Sequence, residues 1–98
     1  MATYLVLFGF TEKGVQNIKD SPARVKAAKK AFSDAGAKVK DFYLVMGMDR
    51  YDTVFLVEAP ADETVSRVCL KISSLGFVHT NTHRAFSEDE FEKIIAAI

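Results

Sequence analysis

Cysteine, net charge and long apolar runs are scarce in this sequence of 98 residues, and each shortage excludes a class of protein. Cys69 is the one cysteine, so an intramolecular disulfide and a cysteine-based zinc site are excluded and a reducing compartment is expected. Basic and acidic residues number 13 each, so no overall field attracts phosphates or anionic lipid. Nucleic acids and membranes are therefore not expected partners.

The amino terminus also lacks a targeting segment. Met1 to Phe8 contain no basic residue and no small-residue cleavage site follows, so a signal peptide is not expected. No apolar run approaches the ~20 residues of a membrane-spanning helix. With 49% apolar and 27% charged residues, the chain is expected to form one soluble, cytoplasmic domain over residues 1–98.

Motifs of metal and nucleophilic chemistry are missing as well. No Ser-His-Asp or Cys-His pattern with recognisable spacing is present, and no glycine-rich phosphate loop follows a strand. His79 and His83 have the spacing of helical zinc ligands, but on a strand they would lie about 13 Å apart. We therefore expect no metal site and no cofactor. Each histidine is expected to be hydrogen-bonded, exposed, or part of a site shared with another strand or subunit.

Apolar periodicity and turn residues predict four strands, two helices between them and a third helix at the end. The strands are expected at Thr3–Phe10, Val39–Met46, Tyr51–Glu58 and Phe77–Phe86. A short helical turn is expected near Val15–Ile18, and the first long helix is expected to begin at Ser21 as N-cap, followed by Pro22. The second helix is expected to begin at Asp62. The last is expected to begin at a capping box formed by Ser87 and Glu90. This βαββαβ order predicts an α+β, ferredoxin-like fold with a four-stranded antiparallel sheet.

The first three predicted strands are apolar without alternation, which indicates that both faces of the sheet are covered. Two helices can cover only one face. A second copy of the chain, packed sheet against sheet, is the expected cover for the other face, and the alternative is a C-terminal helix that folds back over it. The fourth strand is polar throughout, from His79 to Arg84, which is typical of a solvated edge or of a polar wall in an inter-subunit cavity.

Several separated segments resemble the GYD-domain family: Met1–Tyr4, Lys19–Arg24, Arg50–Asp52, Val57–Pro60 and Thr80–Phe86. The resemblance implies a ferredoxin-like fold of the dimeric α/β-barrel kind, in a family of small bacterial and archaeal proteins without an assigned reaction. Arg50 stands where the family's glycine is expected, whereas Tyr51 and Asp52 match directly.

The leading functional hypothesis is a homo-oligomer that binds a small molecule between paired sheets. Its candidate ligand-binding residues are Tyr43, Tyr51, Asp52, His79, Thr80, Thr82 and Arg84. A carboxylate or phosphate ligand would suit Arg84. Alternatively, Asp52 is a turn carboxylate that binds backbone N–H groups and Tyr51 is a half-buried aromatic.

Two other functions stay open. One is a small cofactor-independent enzyme similar to monooxygenases or isomerases, with His79 or His83 as general base, and it rests on fold analogy alone. The other is a structural or interaction module whose product is the assembly itself. RNA binding is disfavoured, because the glycines of the RNA-recognition motif are absent, Asp52 would repel phosphate and the net charge is zero.

Overall fold

A four-stranded sheet and two long helices form the two layers of this protein, whose computed structural model describes all of residues 1–98. The strands are β1 (Ala2–Phe10), β2 (Lys38–Leu44), β3 (Thr53–Ala59) and β4 (Val78–Ala85). The helices are α1 (Glu12–Gln16), α2 (Ser21–Asp34), α3 (Asp62–Ser73) and α4 (Glu88–Ala96). The antiparallel order β2-β3-β1-β4 confirms the predicted α+β, ferredoxin-like fold.

The core lies between one face of the sheet and the helices α2 and α3. Alternate residues of β1 and β3 are buried there, because side chains of a strand point to opposite faces in turn. Phe55 is the centre of this layer: its ring centroid is 4.6 Å from that of Phe8 and 4.8 Å from that of Phe42. Phe32 of α2 and Val65 of α3 close the core from the helix side, and both are fully buried.

The helix starts were predicted with mixed success. The capping box is confirmed, since the Ser87 hydroxyl accepts from the Glu90 N–H at 3.2 Å and Glu90 accepts from the Ser87 N–H at 3.0 Å. The prediction that Ser21 caps α2 is wrong. A 3-10 turn at Ile18–Asp20 runs directly into the helix, so Ser21 is already helical, and its hydroxyl accepts from Arg24 at 3.1 Å.

The second face of the sheet has no cover within the chain. Its apolar centre, which we call the open face, consists of Leu5, Leu7, Val54 and Leu56, all partly exposed. The helix α4 buries none of its own residues, so the alternative of a C-terminal helix folded back over this face is not what the structure shows. None of the helices combines the length and apolar character that crossing a membrane would require.

Candidate functional site

Asp52 lies in the loop before β3 and joins the end of β1 to that loop. Its N–H donates to the Phe8 carbonyl at 2.9 Å, and its own carbonyl accepts from the Val45 N–H at 2.8 Å. Its carboxylate accepts from the Phe10 N–H, with 2.9 Å between Oδ2 and N. Three bonds from one residue therefore hold β1 against the β2–β3 connection, as expected for a turn carboxylate. A ligand role for Asp52 stays a prediction.

Arg50, two residues earlier, has a left-handed backbone with φ of 68°. Glycine adopts this conformation without steric cost, whereas a residue with a Cβ is strained there. The position is the one at which a glycine is expected from the Arg50-Tyr51-Asp52 match. The structure thus gives a conformational reason for that glycine, and Arg50 adopts the left-handed conformation in its place.

Gly9 of β1 is the point at which this loop meets β4. His79 pairs directly across from Gly9, and a Cβ at residue 9 would collide with both the His79 ring and the Arg50 carbonyl oxygen. The Tyr51 ring packs against the same imidazole, with 5.2 Å between the two centroids. A glycine inside a strand often marks such a close approach, so this contact was open to prediction from the sequence.

Strand β4 divides the predicted ligand-binding residues between the two faces of the sheet. Residues directly opposite each other in an antiparallel pair share a face. Thr80, Thr82 and Arg84 lie opposite Phe8, Val6 and Tyr4, on the side that the helices cover. His79, Asn81 and His83 lie opposite Gly9, Leu7 and Leu5, on the open face.

The structure therefore places the seven candidate residues in different surroundings, and their role in ligand binding stays a prediction. Three of them border the open face. Tyr51 and His79 lie together at one end of it. Tyr43 lies on β2 opposite Val54, and its side chain is 61% exposed. Asp52 is engaged with the main chain. Both faces of β4 are polar, so the sequence does not say which set of side chains points to the helices.

A second polar group lies on the helix side, where Tyr4 meets the start of α3. The Tyr4 hydroxyl, on a side chain that is 3% exposed, donates to the Asp62 carboxylate. This hydrogen bond, together with burial, raises the pKa of Tyr4 above its usual value of about 10. The phenol is thus a neutral hydrogen-bond donor and not a base at neutral pH.

Arg84 completes this group at the sheet edge. Its guanidinium lies 4.4 Å from the Phe86 ring centroid and bonds the Glu90 carboxylate at 3.0 Å. A small open cavity of about 230 Å³ lies here, lined by Tyr4, Asp62, Ser66, Thr82 and Arg84. It has room for water or a small polar molecule. Tyr4 and Asp62 are 58 positions apart, so the sequence does not pair them. The available signal was a tyrosine hydroxyl at a buried strand position, which needs a partner.

Cys69 lies next to this group but is chemically quiet. Its sulfur is 3.6 Å from the Thr82 hydroxyl, and burial raises the pKa of the thiol above its usual range. A thiolate is the reactive form, so Cys69 behaves as a small apolar core residue. No three His, Cys, Asp or Glu side chains are arranged to hold a metal ion.

Comparison with known proteins identifies the family. The family model of the GYD domain matches residues 4–95. The chain belongs to the GYD-domain family. A protein of Thermus thermophilus, named glutamine synthetase and cystathionine beta-lyase binding protein, is 36% identical over 86 residues, which cover 87% of this chain and 88% of that protein.

Solved structures agree on the fold. The crystal structure of TTHA0845 from Thermus thermophilus is 30% identical with a TM-score of 0.56, and the match covers 89% of this chain and 95% of that one. The leucine response regulatory protein of Mycobacterium tuberculosis has a TM-score of 0.59 at 17% identity, with 88% of this chain and 51% of that chain covered. The second likeness concerns the fold alone. In this GYD-domain protein, each of the three motif positions has a structural role. Arg50 takes the left-handed backbone conformation, Tyr51 packs against the His79 ring, and the Asp52 carboxylate binds the Phe10 N–H of β1.

Proposed function

We propose that this GYD-domain protein is a homo-oligomeric interaction module that binds a metabolic enzyme. The observation that carries the proposal is the 36% identical relative, which covers nearly the whole chain and is named for binding glutamine synthetase and cystathionine beta-lyase. A relative with that name suggests that the surface of the fold, and not a catalytic centre, is the functional part.

The amount of uncovered surface supports this proposal. The chain exposes 6534 Å², whereas a compact monomer of 10.9 kDa is expected to expose about 5600 Å². The excess of about 900 Å² is close to the ~800 Å² that each partner contributes to a standard interface. Apolar side chains contribute to the exposed surface on the open face and on α4. On α4, Phe91, Ile94 and Ile95 are each about half exposed.

Binding to purified glutamine synthetase and cystathionine β-lyase from the same organism tests the proposal. Biolayer interferometry with the immobilised GYD-domain protein is expected to give saturable binding of at least one enzyme. Ile95→Glu on α4 is expected to weaken that binding, and Leu70→Glu is the matched control, because Leu70 is 72% exposed on α3 and belongs to neither apolar surface. Absence of binding by folded protein at micromolar concentration would contradict the proposal.

A small-molecule site between two paired sheets is the second candidate. The observation that favours it is the border of the open face, where Tyr43, Tyr51 and His79 offer hydroxyl and imidazole groups around an apolar centre. Thermal-shift screening of metabolites separates the two candidates. A ligand that raises the melting temperature of wild-type protein but not of Tyr51→Phe would favour the small-molecule role.

A further inference from the structure

A large cavity lies on the helix side of the sheet, away from the open face. Its volume is about 800 Å³, within the range of ligand pockets. The partly exposed Phe10, Phe42 and Phe77 form its aromatic floor, and Val25 of α2 and Ile72 of α3 add apolar walls. Neither the polar group around Tyr4 nor the Asp52 loop contributes to it.

The cavity follows from the sequence of α2. Along the lining this helix places Ala28 and Ala31, whose short side chains reach only a little way towards the sheet and α3. The space opens to solvent beside the packed core. Larger residues at these positions would close it.

The lining of the cavity carries mostly positive charge. Five basic side chains contribute to it, against one acid: Arg24, Lys26, Lys29, Lys30 and Lys71, with Asp34. Asp34 is already paired with Lys30 at 2.7 Å, and none of the other four cations has a carboxylate within 4.0 Å. The whole chain has zero formal charge, so this excess is a local feature.

Lys29 connects the charge to the apolar floor. Its Nζ lies 5.9 Å from the centroid of the Phe42 ring. Arg24, by contrast, is held by the Asn17 carbonyl and the Ser21 hydroxyl, both at 3.1 Å, and is less available. An ammonium beside an aromatic floor suits a ligand with an apolar body and an anionic end.

We propose that this cavity binds an anionic amphiphile, of the class of alkyl-chain carboxylates, with its chain over the phenylalanine floor and its headgroup paired with Lys29 and its neighbouring cations. A cationic amphiphile of the same chain would meet like charges. A neutral one would leave the lysines without a partner. The proposal does not depend on the interaction role of the open face and α4.

Titration with dodecanoate below its micelle concentration, followed by isothermal calorimetry, tests the charge preference. Dodecylammonium and dodecanol are the matched probes, since they share the chain and differ only in the headgroup. Dodecanoate is expected to bind at least tenfold more tightly than dodecylammonium. Equal affinity for all three probes would overturn the proposal, because apolar contact alone would then explain binding.

Variants test the location. Lys29→Glu is expected to weaken dodecanoate binding about five- to tenfold, whereas Lys93→Glu, the same charge change on α4, leaves it within about twofold. Ala31→Leu, which fills part of the cavity, is expected to weaken it as well, and Ala23→Leu outside the lining is its control; circular dichroism confirms that each variant is folded. Unchanged affinity in both Lys29→Glu and Ala31→Leu would overturn the proposal, and so would loss of binding in Leu56→Glu on the opposite face.

Discussion

A single residue, Arg50, carries the one positive φ that falls outside glycine in this chain. For an L-residue with a Cβ this conformation costs roughly 1–2 kcal/mol, and other bonds must hold it in place. Those bonds are close by: Asp52 clamps the loop to Phe8 and Phe10 through its main chain and its carboxylate. The strain and the clamp therefore belong to the same short loop.

Arg50→Gly is expected to stabilise the protein. Relief of the left-handed strain exceeds the extra entropy that glycine brings to the unfolded chain, so the free energy of unfolding should rise by about 1 kcal/mol, or about 4–8 °C in Tm. Thermal unfolding followed by circular dichroism measures it. Asp49→Gly is the matched control, because Asp49 has no positive φ and glycine there adds only unfolded-state entropy. A lower Tm for Arg50→Gly would show that the arginine side chain contributes more than the strain removes.

At the scale of secondary-structure elements, features set by neighbouring residues could be predicted from the sequence, whereas contacts between residues far apart in the chain could not. The positions of β1 and β3, the glycines after α2 and α3, and the Ser87–Glu90 capping box are all set by neighbours along the chain. The hydrogen bond from Tyr4 to Asp62 joins residues far apart in sequence, and Gly9 signals a close approach without identifying His79 as its partner. Period and propensity describe single elements, so they cannot say which face of β4 meets α3.

Helix α4 depends on its first turn more than the other helices do, because no core packing holds it. Glu90 accepts from the Ser87 N–H and pairs with Arg84 at 3.0 Å. These two interactions, the backbone bond first, lower the pKa of Glu90 below its usual value of about 4.3. The carboxylate is favoured in the folded helix, so its contribution is complete above the usual pKa and is lost as the pH falls through the lower, folded value.

We therefore expect α4 to lose helicity in acid, below about pH 4. The Glu90 carboxyl carbon, followed by NMR, should titrate below the usual glutamate pKa of about 4.3. Glu90→Gln should remove this part of the pH dependence, while Glu92→Gln should keep it. A Glu90 carboxyl that titrates at or above its usual pKa would contradict the assignment of the capping box as an electrostatic contact.

The whole molecule is less compact than its length predicts. Its radius of gyration is 14.3 Å, whereas about 12.6 Å is expected for 98 residues. An unpacked α4 and a sheet with one bare face both contribute to this extended shape. Domains of this size bury a smaller fraction of their surface than larger domains do, so an additional interface would add to the stability of the single copy.

Self-association through the open face is the remaining prediction at this scale. Leu56 lies in the middle of that face, paired with Leu5 across the β1–β3 register, and a glutamate there would place an unpaired charge in the interface. Light scattering coupled to size exclusion is expected to give twice 10.9 kDa or more for the wild type and for the Leu70→Glu control, and the monomer mass for Leu56→Glu. The monomeric variant should also melt at a temperature that no longer rises with protein concentration, because folding and association are then uncoupled. A wild type that remains monomeric at micromolar concentration would contradict the prediction. The open face would then be free for a different partner.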